Sequence, residues 1–176
     1  MKHLLPLFAA VFVVQHSAFA QATVVTFDSM KVTAGEALPG SNVIVTLSFK
    51  VQPGYYLHSN RPTVPRAIAT EVRLGTIPAA RSLPAAYGTP GQKTIPNITQ
   101  PASVYAGALT AQVPVVIAPN AFFPIQLAGA IGYAPVNEKT HVAGRVEQVN
   151  FTVTIPRSTN QPPANAKSPT PDPKKK

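Results

Sequence analysis

Asn42-Val43-Ile44-Val45-Thr46-Leu47-Ser48-Phe49-Lys50-Val51 is the stretch that decides the fold. Val43, Val45, Leu47, Phe49 and Val51 fall on one side of an extended chain, and Ile44, Thr46, Ser48 and Lys50 on the other. A period of two marks a strand with one buried face. The same period recurs at Ile68, Thr70, Val72 and Leu74, at Leu109, Ala111, Val113, Val115 and Ile117, and at Ile125, Leu127, Gly129, Ile131 and Tyr133. It returns at Val149, Phe151, Val153 and Ile155, and Thr23 to Phe27 supplies one more strand. With 20 prolines and 10 glycines the chain is interrupted too often for long helices, because an interior proline removes a hydrogen bond and clashes with the preceding turn.

Strands that each bury one face are satisfied most economically by two sheets packed face to face. The expected fold is all-β, an immunoglobulin-like sandwich of two antiparallel sheets. A closed barrel would show the same alternation. The proline-rich stretch from Ile77 to Pro101 suits an irregular crossover between sheets better.

Both ends read as lying outside this domain. Lys2 and His3 precede an apolar run from Leu4 to Val14, and Ala18-Phe19-Ala20 has the small-x-small pattern of a signal-peptidase site. Residues 1–20 are therefore expected to be a signal peptide and residues 23–156 the folded domain. The run is shorter than the ~20 residues that span a bilayer. Residues 157–176, rich in proline and ending in Lys174 to Lys176, lack large apolar side chains and are expected to be a disordered, solvated tail, with contact of its lysines to an anionic membrane or wall surface as the alternative reading. The expected location is periplasmic or secreted. Export normally permits disulfides, yet the chain has no cysteine, so its core must hold by burial alone.

A net charge of +9 raises the question of nucleic acid. Between residues 23 and 156 the cations are scattered (Lys31, Lys50, Arg61, Arg66, Arg73, Arg81, Lys93, Lys139 and Arg145) and are offset by Asp28, Glu36, Glu71, Glu138 and Glu147. No basic stripe with interleaved stacking aromatics appears, so nucleic acid is not an expected partner. Catalytic constellations are equally thin. His58 and His141 lack metal-ligand spacing, and Glu138 and Glu147 are a pair that nothing holds at a glycosidase separation. Ser59 next to His58 lacks a nucleophile elbow. Neither a metal nor a cofactor is expected, and catalysis by this chain alone is not.

The most distinctive stretch runs from Phe49 through Pro53-Gly54-Tyr55-Tyr56-Leu57-His58-Ser59-Asn60 to Pro62, a strand entering a Pro-Gly turn and then an aromatic segment. It resembles the motif that marks the periplasmic N-terminal domain of the thiol:disulfide interchange protein DsbD and its stand-alone relatives. Ala67 to Leu74, Tyr87-Gly88, Ser103-Val104-Tyr105-Ala106-Gly107 and Ile125 to Tyr133 resemble further pieces of that family in the same order. In the family, the last of these strands leads into two cysteines that shuttle between dithiol and disulfide. Here the matching stretch is Tyr133-Ala134-Pro135-Val136-Asn137-Glu138-Lys139-Thr140-His141, with Val136 and His141 at the cysteine positions. Neither side chain can exchange a disulfide. The resemblance implies a binding module that has lost its redox pair, with Tyr55, Tyr56, His58, Asn60, Tyr133, Val136 and His141 as the surface for a thioredoxin-like or DsbD-type partner. A second reading is an accessory component of a thiol:disulfide pathway acting with a cysteine-bearing partner.

Overall fold

The structure is a computed structural model and describes residues 23–159. The expected leader, and the tail from residue 160 onward, lie outside the described residues. In chain order the strands are β1 (Val25–Ala34), β2 (Asn42–Val51), β3 (Tyr55–His58), β4 (Glu71–Leu74), β5 (Ala80–Ser82) and β6 (Ala86–Tyr87). They continue with β7 (Gly91–Lys93), β8 (Ala102–Tyr105), β9 (Ala108–Ile117), β10 (Ile125–Tyr133), β11 (Pro135–Asn137) and β12 (Glu147–Ile155). All pairings are antiparallel.

The immunoglobulin-like sandwich of antiparallel sheets expected from the sequence is the architecture of the chain. One sheet has the order β1-β2-β9-β5, with β6 also on β9, and the facing sheet has the order β12-β10-β4. A third, four-stranded ladder, β11-β3-β8-β7, adds to the two-sheet expectation. It grows at one end of the sandwich, where the chain leaves β2 for β3 and β10 for β11.

The alternation sets the core. Val43, Val45, Leu47, Phe49 and Val51 of β2 and Leu109 to Ile117 of β9 bury every second side chain against Ile125, Leu127, Ile131, Val153 and Ile155 of the facing sheet. Phe151 stacks on Phe27 with centroids 4.6 Å apart and meets Phe49 edge-on at 5.4 Å. Such pairs contribute roughly 0.5–1.5 kcal/mol beyond area burial. Gly129, an inward position of β10, makes room for them: a Cβ there would overlap the Phe151 ring. Of the expected inward positions before β4, Thr70 is buried but Ile68 is exposed.

The proline-rich stretch does cross between sheets, since β5 and β6 pair with β9 and β7 with β8. Its interruption between β5 and β6 has a local cause. Pro114 of β9 offers its carbonyl to the Leu83 amide at 2.9 Å, so its absent N–H faces that same side, and the outer neighbour breaks into two short pieces there.

Candidate binding site

Gly54, with φ 85°, turns the chain after β2 so that β3 runs back beside two partners. β3 sets Tyr56 opposite Val136 of β11, and His58 opposite Val104 of β8. The aromatic corner and the stretch from Tyr133 to His141, distant in sequence, thereby share one ladder.

Beyond β11 the chain makes a tight reversal. Asn137 Oδ1 accepts from the amides of Lys139 (2.9 Å) and Thr140 (3.1 Å), and the His141 amide donates to the Asn137 carbonyl at 2.9 Å. His141 takes the left-handed conformation, φ 56°, that closes the turn. Ala143 then pairs back on Val136, and the Gly144 amide donates to the Pro135 carbonyl at 2.7 Å. The Glu138 amide, donating to the Gly54 carbonyl at 2.9 Å, ties the hairpin to the turn before β3.

Tyr56 is the centre of this end. It is fully buried with Ile95, Ala102, Val104 and Val136 in a second apolar cluster separate from the main core. Its ring meets His58 edge-on at 5.9 Å and His141 at 6.4 Å, and Lys93 Nζ lies 5.2 Å from its centroid. Tyr56 Oη stands 3.5 Å from Nδ1 of His141, the outer limit of a hydrogen bond. Lys93 also pairs with Glu138 at 2.8 Å. Burial, and secondarily the Glu138 charge, push the Tyr56 phenol up from its ordinary value, so it stays neutral. His58 is 7% exposed and its Nδ1 has no partner. Burial lowers its pKa, which leaves a neutral imidazole at neutral pH.

The other expected residues have different placements. Tyr133 is fully buried in the main core, where its hydroxyl donates to Glu147 Oε2 at 2.7 Å and accepts from the Val25 amide at 3.3 Å. Burial first, and the Glu147 hydrogen bond next, hold that phenol well above its ordinary value. Asn60 accepts from the Tyr105 hydroxyl at 2.8 Å and thereby ties the segment after β3 to β8. Tyr55, half-buried, packs on the main core. The structure thus gathers Tyr56, His58, Val136 and His141, and keeps Tyr55, Asn60 and Tyr133 apart from them. Tyr56 and Val136 are buried, so they shape the hairpin from beneath, while Lys139, Thr140 and Val142 are exposed above.

One member of this end escapes a reading of the sequence. Lys93 sits in the crossover and carries no periodic signal, and its partner Glu138 is 45 residues away. Only the pairing of β7 with β8 brings Lys93 over Tyr56. Glu138 and Glu147, weighed as a carboxylate pair, have separate partners in Lys93 and Tyr133. Ser59 is buried, and its Oγ accepts from the Arg61 amide at 3.2 Å. Among the described residues no group of three or more His, Asp or Glu side chains could hold a metal ion. What the arrangement offers is a braced, mostly exposed hairpin on a buried aromatic support.

No protein-family model matches the chain, and no curated protein matches it. Among solved structures it is similar to the reduced N-terminal domain of DsbD from Neisseria meningitidis, at 13% identity and TM-score 0.42, over 74% of this chain and 86% of that one. It is also similar to the N-terminal periplasmic domain of ScsB from Proteus mirabilis, at 10% identity and TM-score 0.44. That match covers 69% of this chain and 44% of the other, so the chain spans less than half of the ScsB structure. The class defined by fold and site is a cysteine-free antiparallel sandwich with a hairpin braced on a buried tyrosine.

Proposed function

We propose that the chain is an exported binding module without redox chemistry of its own, and that the hairpin of residues 135–144 is its docking surface for a thioredoxin-like or DsbD-type protein of the bacterial envelope. One observation supports the reading: the strand that holds Val136 pairs directly with the strand that holds Tyr56, so the aromatic corner and the stretch matching the family's cysteine positions lie side by side. The absence of cysteine removes the thiolate attack on which disulfide exchange depends. What remains is a rigid turn with apolar and cationic side chains at its tip, Val142 being 65% exposed. An exposed apolar residue just after a turn held by its own hydrogen bonds can be buried by a partner with little ordering of the loop. The expected leader would deliver the domain to the compartment where such partners reside.

The test is a titration of the isotope-labelled domain with a purified periplasmic thioredoxin-fold protein, followed by amide chemical shifts. Shifts should concentrate in residues 137–146, and Val142→Glu should weaken binding by about tenfold, the scale of one interface anchor. Because Val142 packs into no core, its replacement leaves the fold intact. Shifts located elsewhere, or an affinity indifferent to Val142→Glu, would exclude this surface.

A further inference from the structure

The two sides of the sandwich end differently. On one side the outward backbone groups of β4 are capped: the Val72 amide donates to the Tyr87 hydroxyl at 2.8 Å, and the Leu74 carbonyl accepts from the Ser82 hydroxyl at 2.6 Å. The other side is formed by β1 and β12. β1 is broken by two register shifts and carries Asp28 and Lys31, features that blunt a sheet edge. β12 pairs with β10 from Glu147 to Ile155 without a shift, and Gln148, Asn150, Thr152 and Thr154 on its solvent face are uncharged.

The ladder also tells which backbone groups this edge presents. The Gly75 amide donates to the Ala128 carbonyl at 2.7 Å, so even-numbered residues of β10 turn their N–H and C=O toward β4, and odd-numbered ones turn theirs toward β12. Gly129 and Phe151 are therefore a hydrogen-bonded pair, and Gln148, Asn150, Thr152 and Thr154 aim both backbone groups outward. Among the described residues no second strand pairs with β12, and no loop amide or carbonyl reaches these groups. Beneath them Val149 and Phe151 are half-buried, as are Phe27, Met30 and Val32 of the neighbouring β1, whereas Ile131, across the ladder from Val149, is fully buried. A long, regular and uncharged edge over incompletely covered apolar side chains is a template for a further strand.

We propose that this edge pairs with β12 of a second copy of the chain, antiparallel, about a two-fold axis at Phe151. Core-facing side chains must stay on the core face, so odd-numbered residues oppose odd-numbered ones. An axis at Phe151 sets Gln148 of one copy opposite Thr154 of the other, and Asn150 opposite Thr152, which pairs every outward N–H and C=O of those residues in both copies. An axis at Thr152 would instead set Gln148 opposite Pro156, which has no N–H to give. The chosen register also sets Val149 opposite Val153 and Glu147 opposite Ile155, so no like charges meet. The edge is thus complementary to itself, as an isologous contact requires, and this selects a second copy as its occupant. The joined sheet has the order β4-β10-β12-β12-β10-β4 and leaves the two hairpins of residues 135–144 at opposite ends.

Sedimentation equilibrium of the chain starting at Gln21 should show a monomer–dimer equilibrium. Thr152→Pro removes an N–H that bonds nothing inside the domain, so it should leave thermal unfolding unchanged while weakening the dimer at least about tenfold, because the partner strand loses a donor and meets the ring. Asn150→Asp combined with Thr152→Asp alters solvent-facing side chains and sets like charges opposite each other across the axis. It should weaken the dimer by a similar factor, and less so as salt rises. Because the chain has no cysteine, a mixture of Asn150→Cys and Thr152→Cys chains should cross-link on mild oxidation, with Cα atoms about 5.5 Å apart, faster than either variant alone. A chain that stays monomeric up to about 1 mM, where association is worth only ~4 kcal/mol, would overturn the proposal. So would a dimer that folded Thr152→Pro leaves unchanged, or cross-linking of either cysteine variant alone as fast as the mixture. Should Thr152→Pro lower the unfolding temperature, the paired aspartates and the cross-link decide.

Discussion

The two apolar clusters of this domain differ in what surrounds them. The larger lies between the sheets and is built from aliphatic and phenylalanine side chains such as Leu47, Phe49, Leu127 and Ile155, with the Tyr133 hydroxyl already satisfied by Glu147. The smaller, around Tyr56, is bordered by two histidines and the Lys93–Glu138 ion pair. Burial of hydrocarbon is indifferent to pH and salt over the ordinary range, whereas a half-exposed ion pair and a buried imidazole are not. The first cluster should therefore set the stability of the domain and the second should set how the hairpin end responds to its surroundings.

Truncation in the larger cluster is the most severe challenge to that contrast. Leu127→Ala should lower the unfolding free energy by about 3–5 kcal/mol in urea titrations, through lost transfer energy and a residual cavity. The loss should be the same at pH 5 and pH 8. A pH-dependent loss would mean that the clusters are electrostatically joined.

His58 sharpens the contrast at the other end. Its pKa is lowered in the folded state by burial, so the unfolded chain takes up the proton first. Its contribution is intact above the unfolded value of about 6.5 and declines as pH falls from there toward the folded value. The slope for one proton is at most about 1.4 kcal/mol per pH unit. Unfolding followed across pH 7 to 5 should show this decline, and His58→Gln should remove it. A wild-type slope that persists in His58→Gln would assign the dependence to another group.

The ion pair gives the smallest effect. Lys93→Gln should cost under about 1 kcal/mol, because both side chains of the pair are partly exposed, at 29% and 37%. Its cost should shrink as salt rises. A larger, salt-independent cost would show that the Lys93 stem packing on Tyr56 matters more than the charge.

Much of the sandwich is legible in the sequence. β2 and β10 have the bounds that their alternation predicts, and β9 and β12 start one and two residues before it. These are strands of nine or ten residues, long enough for a period of two to stand out. The pattern alone ends β1 at Phe27, but the strand continues to Ala34, because register shifts at Phe27/Ser29 and Val32/Ala34 break the alternation. β5, β6, β7 and β8 have two to four residues each and carry no readable period. The candidate site is legible as two stretches, Tyr55 to Asn60 and Tyr133 to His141. Which of their side chains meet is not.

The sequence by itself determined the all-β class, the buried face of each long strand and the absence of thiol chemistry, since these follow from local alternation and from composition. Tertiary structure alone decided that Val136 and His141 stand on Tyr56 and that Lys93 lies over its ring. Those placements depend on pairings between residues 45 to more than 80 positions apart, and such contacts leave no mark on the pattern of either segment.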